Sequence, residues 1–144
     1  MVEAPEQIAP GVYRVDGVGL ANAISVLVVR NDDGWALVDT GVRSTSLRIQ
    51  EALAALGAEP GELKRIYLTH HHADHIGGLQ AVRWWATEAE VVAPEHEAQI
   101  ISGERSPDPS SNTLFRFFAR RQRLPSTPVD RIAMRAIALP AFVL

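Results

Sequence analysis

The sequence predicts an α/β (α+β) fold, a mixed sheet with flanking helices. Three observations predict it. Short apolar or β-branched runs alternate with amphipathic helical stretches. Turn residues separate them, and a strand-like run at residues 64–69 opens directly onto a histidine-rich loop followed by another helix. At 144 residues, 47% apolar and 22% charged, the chain has the length and composition of one globular domain with a real core.

Val12-Tyr13-Arg14-Val15 alternates weakly before Gly17 and Gly19, which predicts a first strand and a turn. Residues 23–29 are mostly apolar, with several β-branched, as in a buried strand. Asn31-Asp32-Asp33-Gly34 is a hairpin signal, and the strand returning over residues 35–38 delivers Asp39 at its end. A helix is expected over 44–56, with Ser44 as its cap, Leu47, Ile49, Leu53 and Leu56 as its apolar face, and Gly57 as its stop. Pro60-Gly61 then breaks the chain before the strand at 64–69. After the histidines, Ile76, Leu79 and Val82 share one helix face, and Trp84 and Trp85 read as packing residues. A strand at 90–93 leads to Pro94, which opens a short helix with Glu95 and Glu97 near its positive end. A polar loop at 103–112 precedes a second helical stretch over 113–123, in which Leu114, Phe117, Phe118 and Arg121 share a face.

The chemistry concentrates in Leu68-Thr69-His70-His71-His72-Ala73-Asp74-His75-Ile76-Gly77-Gly78, where four of the five histidines fall within six positions. In an extended segment alternate side chains share a face, so His70, His72 and Asp74 are expected to point one way, with His75 at the helix entrance. Imidazole nitrogens and a carboxylate suit zinc and similar divalent metals. The spacing suggests two half-sites, His70 with His72 and Asp74 with His75. The plain alternative is a solvated run of histidines. His71, pointing away in this scheme, is not expected to ligate, and His96 reads as a surface histidine.

His70-x-His72-x-Asp74-His75 resembles the signature of the metallo-β-lactamase-fold hydrolases, including glyoxalase II-like and lactonase-like members. Val38-Asp39-Thr40-Gly41 is similar to the Asp-Thr-Gly turn of that superfamily, and the Gly-Gly after the last histidine also matches. The resemblance covers roughly residues 11–131. It implies the amino-terminal half of an αβ/βα sandwich within residues 1–131, with 132–144 an apolar tail outside the pattern. It also implies metal ligation by His70, His72, Asp74 and His75, for one or two Zn2+ or another divalent metal. Asp74 would in addition help manage a leaving-group proton, and Asp39, Thr40 and Gly41 would orient the metal loop. The implied activity is hydrolysis of an ester, thioester, lactone or related bond of a small-molecule substrate. Complete members take a third histidine, a bridging Asp and a last histidine from a carboxy-terminal half. Residues 132–144 contain no His, Asp or Glu. The expectation is therefore a homodimer or a complementing chain supplying the rest. The alternative is a truncated, catalytically incompetent fragment or metal-binding module that keeps the fold.

Bulk composition narrows the other classes. Without cysteine there are neither disulfides nor thiolate metal sites. The acidic start lacks the features of a secretory signal, and no segment reaches the roughly 20 apolar residues of a membrane span, so a cytoplasmic protein is expected. Residues 1–110 hold 8 basic and 16 acidic side chains, net −8, whereas 111–144 hold 6 and 1, net +5. The basic end reads as a solvated helix face, and nucleic acid is not an expected partner.

Overall fold

The computed structural model describes residues 4–18, 23–106 and 134–137, the last as backbone alone. Seven strands form one mixed sheet in sequence order: β1 (Glu6–Ala9), β2 (Val12–Asp16), β3 (Ser25–Asn31), β4 (Gly34–Val38), β5 (Leu63–Tyr67), β6 (Glu90–Pro94) and β7 (Met134–Ile137). The first four pair antiparallel and the last four parallel. Parallel neighbours need a crossover. Helix α1 (Thr45–Ala55) makes the one from β4 to β5, while α2 (Ala73–Ile76) and α3 (Leu79–Trp85) lie between β5 and β6. Helix α4 (Glu95–Ile101) follows β6 directly.

One row of the sheet explains the core. Tyr13, Val28, Leu37, Ile66 and Val91 are register partners across β2 to β6, so their side chains share a face. Val28, Leu37, Ile66 and Val91 are buried, and they join one cluster with Ile49, Ala52 and Leu53 of α1 and Leu79 and Val82 of α3. Each such large side chain taken from water contributes about 1.5–3 kcal/mol. The helices thus cover one face of the sheet and fix where the strand ends project.

Several local expectations are corrected. Strand β1 precedes the first expected one; its residues are exposed, so no burial pattern marked it, and Glu6 pairs with Arg14 of β2. Residues 23–29 carry their strand two positions later, at Ser25–Asn31. In α1 the inward face is Thr45, Ser46, Ile49, Ala52 and Leu53, while Leu47 is 62% exposed. Ser44 makes no side-chain cap. Thr45 takes over the tie at this end: its Oγ1 accepts the Val42 N–H at 3.1 Å and donates to the Gly17 carbonyl at 2.9 Å. Gly57 does end the helix. At φ +75° its N–H reaches the Ala54 carbonyl, and the Ala58 N–H reaches that of Leu53, the bond pair of a Schellman motif.

The helix expected after the histidines is broken into α2 and α3 at Gly77-Gly78. Trp84 is 87% exposed rather than packed, whereas Trp85 lies against the core and its Nε1–H donates to Ser46 Oγ at 3.0 Å. Pro94 ends β6 and caps α4 instead of entering it. Within the stretch read as a tail, residues 134–137 pair parallel with β6. The expected helix over 113–123 lies outside the described residues. Among the described residues no helix is long and apolar enough to cross a membrane.

Candidate metal centre

Strands β4 and β5 end side by side, and the site is built on their carboxyl ends. The strand register continues briefly past β4, with the Asp39 N–H donating to the Tyr67 carbonyl at 2.7 Å. Asp39 then turns at φ +63°, a left-handed conformation that Asp tolerates better than most residues. Thr40 follows and binds the His75 carbonyl twice, through its N–H at 2.7 Å and its hydroxyl at 2.9 Å. The Gly78 N–H donates to the Gly41 carbonyl at 3.0 Å. At Gly78 a Cβ would collide with the Thr40 carbonyl oxygen. The Gly-Gly pair is what lets the Asp39–Gly41 turn press against the chain between α2 and α3, and it explains the break in the helix.

Strand β5 stops at Tyr67, earlier than expected, and α2 begins at Ala73 with His72 as its cap. His70 and His72 therefore lie on the connection, while Asp74 and His75 sit in the first helical turn rather than on an extended face. The three rings still gather: the His70 centroid is 4.4 Å from that of His72 and 3.9 Å from that of His75.

Asp39 organises two of them. Its carboxylate accepts the Thr69 N–H at 2.8 Å, the Thr69 hydroxyl at 2.8 Å and His75 Nδ1–H at 2.7 Å. Because the Thr69 hydroxyl donates to Asp39, its lone pair is left to accept His70 Nδ1–H at 2.9 Å. Both rings are thereby held through Nδ1, with Nε2 turned away from Asp39 and Thr69, the arrangement in which an outer carboxylate orients a metal-binding imidazole. Burial lowers the His70 pKa below its ordinary value, and the nearby His75 and His72 add to the effect, which favours the neutral ring.

One pair of these groups has the spacing of two metal donors. His75 Nε2 stands 3.5 Å from Asp74 Oδ2. Two donors each 2.0–2.1 Å from a tetrahedral zinc lie about 3.3 Å apart, so a ring nitrogen and a carboxylate oxygen at this distance match the spacing of two ligands on one cation. Among the described residues, however, no three His, Cys, Asp or Glu side chains are arranged to hold a metal ion. All five histidines of the sequence fall within the described residues. Four of them are in this loop, and His96 is the fifth. His96 is exposed, its side chain 70% accessible, and stands 3.5 Å from Glu97.

The residue that sequence reasoning missed is Glu97. It is buried, and its Oε2 accepts both the His71 N–H at 2.9 Å and the His71 Nδ1–H at 2.6 Å. Burial pushes this carboxyl up, but the two bonds from His71 outweigh it and the net shift is downward. One signal existed in the sequence: Glu97 lies four residues before Ile101 and next to Ala98, both packed on the core, which puts a carboxylate on the inward side of α4.

The family model of the metallo-beta-lactamase superfamily matches residues 20–132. A hydroxyacylglutathione hydrolase of Rhodopseudomonas palustris is 49% identical over 87 residues, covering 57% of this chain and 34% of that protein. A probable metallo-hydrolase of Bacillus subtilis is 37% identical over 88 residues, 60% of this chain and 36% of that one. A subclass B3 metallo-beta-lactamase from a soil metagenome shares the fold, with a TM-score of 0.67 and 23% identity, over 94% of this chain and 46% of that one. The chain thus spans about a third of the length of these two curated relatives. The family match takes in most of the sheet together with the histidine loop and the turn beneath it, and the chain belongs to the metallo-beta-lactamase superfamily.

Proposed function

We propose that this chain carries the amino-terminal part of a metal-dependent hydrolytic centre, with zinc as the metal and an ester, thioester or lactone as the bond cleaved. The observation that carries the reading is the Asp39 carboxylate, which holds His75 directly and His70 through Thr69 by their Nδ1 atoms, leaving the Nε2 side of each ring for a metal. Relatives named as hydroxyacylglutathione hydrolases support an acyl-transfer substrate. His70 and His72 would hold one metal, Asp74 and His75 a second, and Asp39, Thr40 and Gly41 would keep the loop in register. When bound, such a metal supplies Lewis acidity toward water and toward the substrate carbonyl oxygen. Asp74 is partly exposed, so its carboxylate can also take a proton and return it to a departing group.

A second reading has its own observation. No set of three metal-binding side chains forms among the described residues, which favours a chain that holds metal weakly and hydrolyses nothing until a second copy or a complementing polypeptide adds donors. Metal content after dialysis, oligomeric state and hydrolysis of thioester and lactone substrates, measured on wild type and His72→Ala, separate the two. Stoichiometric zinc with turnover, both lost in the variant, supports the hydrolase. Substoichiometric zinc without turnover supports the module. Equal metal content in both proteins would defeat either reading.

A further inference from the structure

Glu97 takes no part in the chemistry proposed above, yet it is 9% exposed, close to the 6% of Asp39. A buried carboxylate is costly unless fully hydrogen-bonded. It cannot close a capping box on its own helix, because Pro94 at the cap position has no N–H to donate. Both bonds to Oε2 instead cross 26 residues of sequence to His71, one to the backbone and one to the ring. His71 separates the two histidines of the first pair, and its ring lies 5.1 Å from that of His72. Asp39 grips the same loop from the end of β4, at Thr69 and His75. The loop is therefore fastened at three points by two buried carboxylates that come from different elements.

We propose that Glu97 is a positioning residue for this loop. By fixing the peptide N–H and ring of His71, it sets the backbone between His70 and His72 so that the two flanking imidazoles face the site together. The inference rests on the metal reading given above. It couples α4, which contributes no ligand, to the geometry of the first pair. Removing a partner bonded directly to a ligand typically costs about 10–100-fold in metal affinity; Glu97 acts one residue away, through His71, so the expected loss is at the low end, about 10-fold.

The test uses the full chain as wild type, Glu97→Gln, Glu97→Ala and, as a control that only loosens the core, Val82→Ala. Zinc affinity is read by competition with a chromogenic chelator. Separately, with excess chelator present, the imidazole nitrogen shifts of His70 and His72 are read by NMR. One amide oxygen of Gln can accept both His71 bonds, so Glu97→Gln keeps wild-type affinity and wild-type ring shifts. Glu97→Ala lowers affinity about 10-fold and moves both rings. Val82→Ala lowers the melting temperature and moves neither. The proposal is overturned if Glu97→Ala leaves the His70 and His72 signals in place, or if Val82→Ala reproduces its loss. Should the alanine variant not fold, Glu97→Asp, shorter by one methylene, takes its place with the same expected losses. If wild type takes up no zinc, the metal reading fails, while the ring shifts in chelator still decide whether Glu97 positions the loop.

Discussion

The Asp39 carboxylate and the His75 ring meet at 2.7 Å across 36 residues of sequence, and the same Asp39 oxygen also receives the Thr69 hydroxyl at 2.8 Å. An Asn here tolerates the left-handed backbone but turns an amide NH2 toward one of these donors. Asp39→Asn is expected to cost about 1–3 kcal/mol through the donor left unpaired. It should also weaken zinc binding about 10–100-fold as a ring loses its orientation. Urea unfolding and chelator competition measure the two effects, and unchanged affinity would show that the ring needs no such support.

Gly78 and Gly61 form a matched pair of probes. A Cβ at Gly78 collides with the Thr40 carbonyl, whereas one at Gly61 meets nothing within 4 Å. Gly78→Ala is expected to destabilise by about 1–3 kcal/mol as the turn and helix are pushed apart. Gly61→Ala should fall within about ±0.5 kcal/mol. Thermal unfolding of both variants checks the contrast.

On α1, Ile49 is fully buried and Leu47 is not. Ile49→Ala should cost about 2–5 kcal/mol, and Leu47→Gln about 0.5 kcal/mol or less. Chemical denaturation that showed comparable losses would mean that Leu47 is covered in solution.

A pH dependence is expected from the hairpin turn. Asp33 accepts a two-pronged bond from Arg65, at 3.1 and 2.7 Å, and the Arg65 hydrogen bond holds its carboxyl below the ordinary value. A carboxyl with a lowered folded pKa contributes stability above its unfolded value, near 3.8, and loses it as pH falls through the folded value. Asp33 is exposed and Arg65 partly so, and the effect is therefore small and shrinks with salt. Stability measured from pH 5 downward should fall more steeply for wild type than for Asp33→Asn. Parallel curves would remove the pair from the acid limb.

Legibility in the sequence followed the range of the interaction. The Asn31–Gly34 hairpin, the Gly57 stop and the gathering of His70, His72 and His75 all arise from neighbours in the chain, and composition marks them. What periodicity could not mark were contacts made across the fold. In α1 Thr45 joins Ile49 and Leu53 on the inward face and its hydroxyl reaches Gly17, and the helix after the histidines is interrupted where Gly78 meets Thr40. Trp84 stayed in solvent because Trp85 takes the place against Ser46. Glu97 escaped notice for the same reason: a carboxylate in a first helical turn has an ordinary explanation in the helix dipole, and its bonds to His71 exist only once β5 and β6 pair.

Among the described residues, each strand of the sheet neighbours the one before it in the sequence, and none is inserted between two that precede it. The antiparallel additions close short loops, two residues from β1 to β2 and from β3 to β4, whereas the parallel ones wait for crossovers of 24 residues from β4 to β5 and 22 from β5 to β6. The hairpin of β3 and β4 can therefore stand complete, with Asp39 at its tip, before β5 delivers Thr69 and the histidines to it. Such an order suits assembly during synthesis at the ribosome, with each arriving segment docking on a template already built.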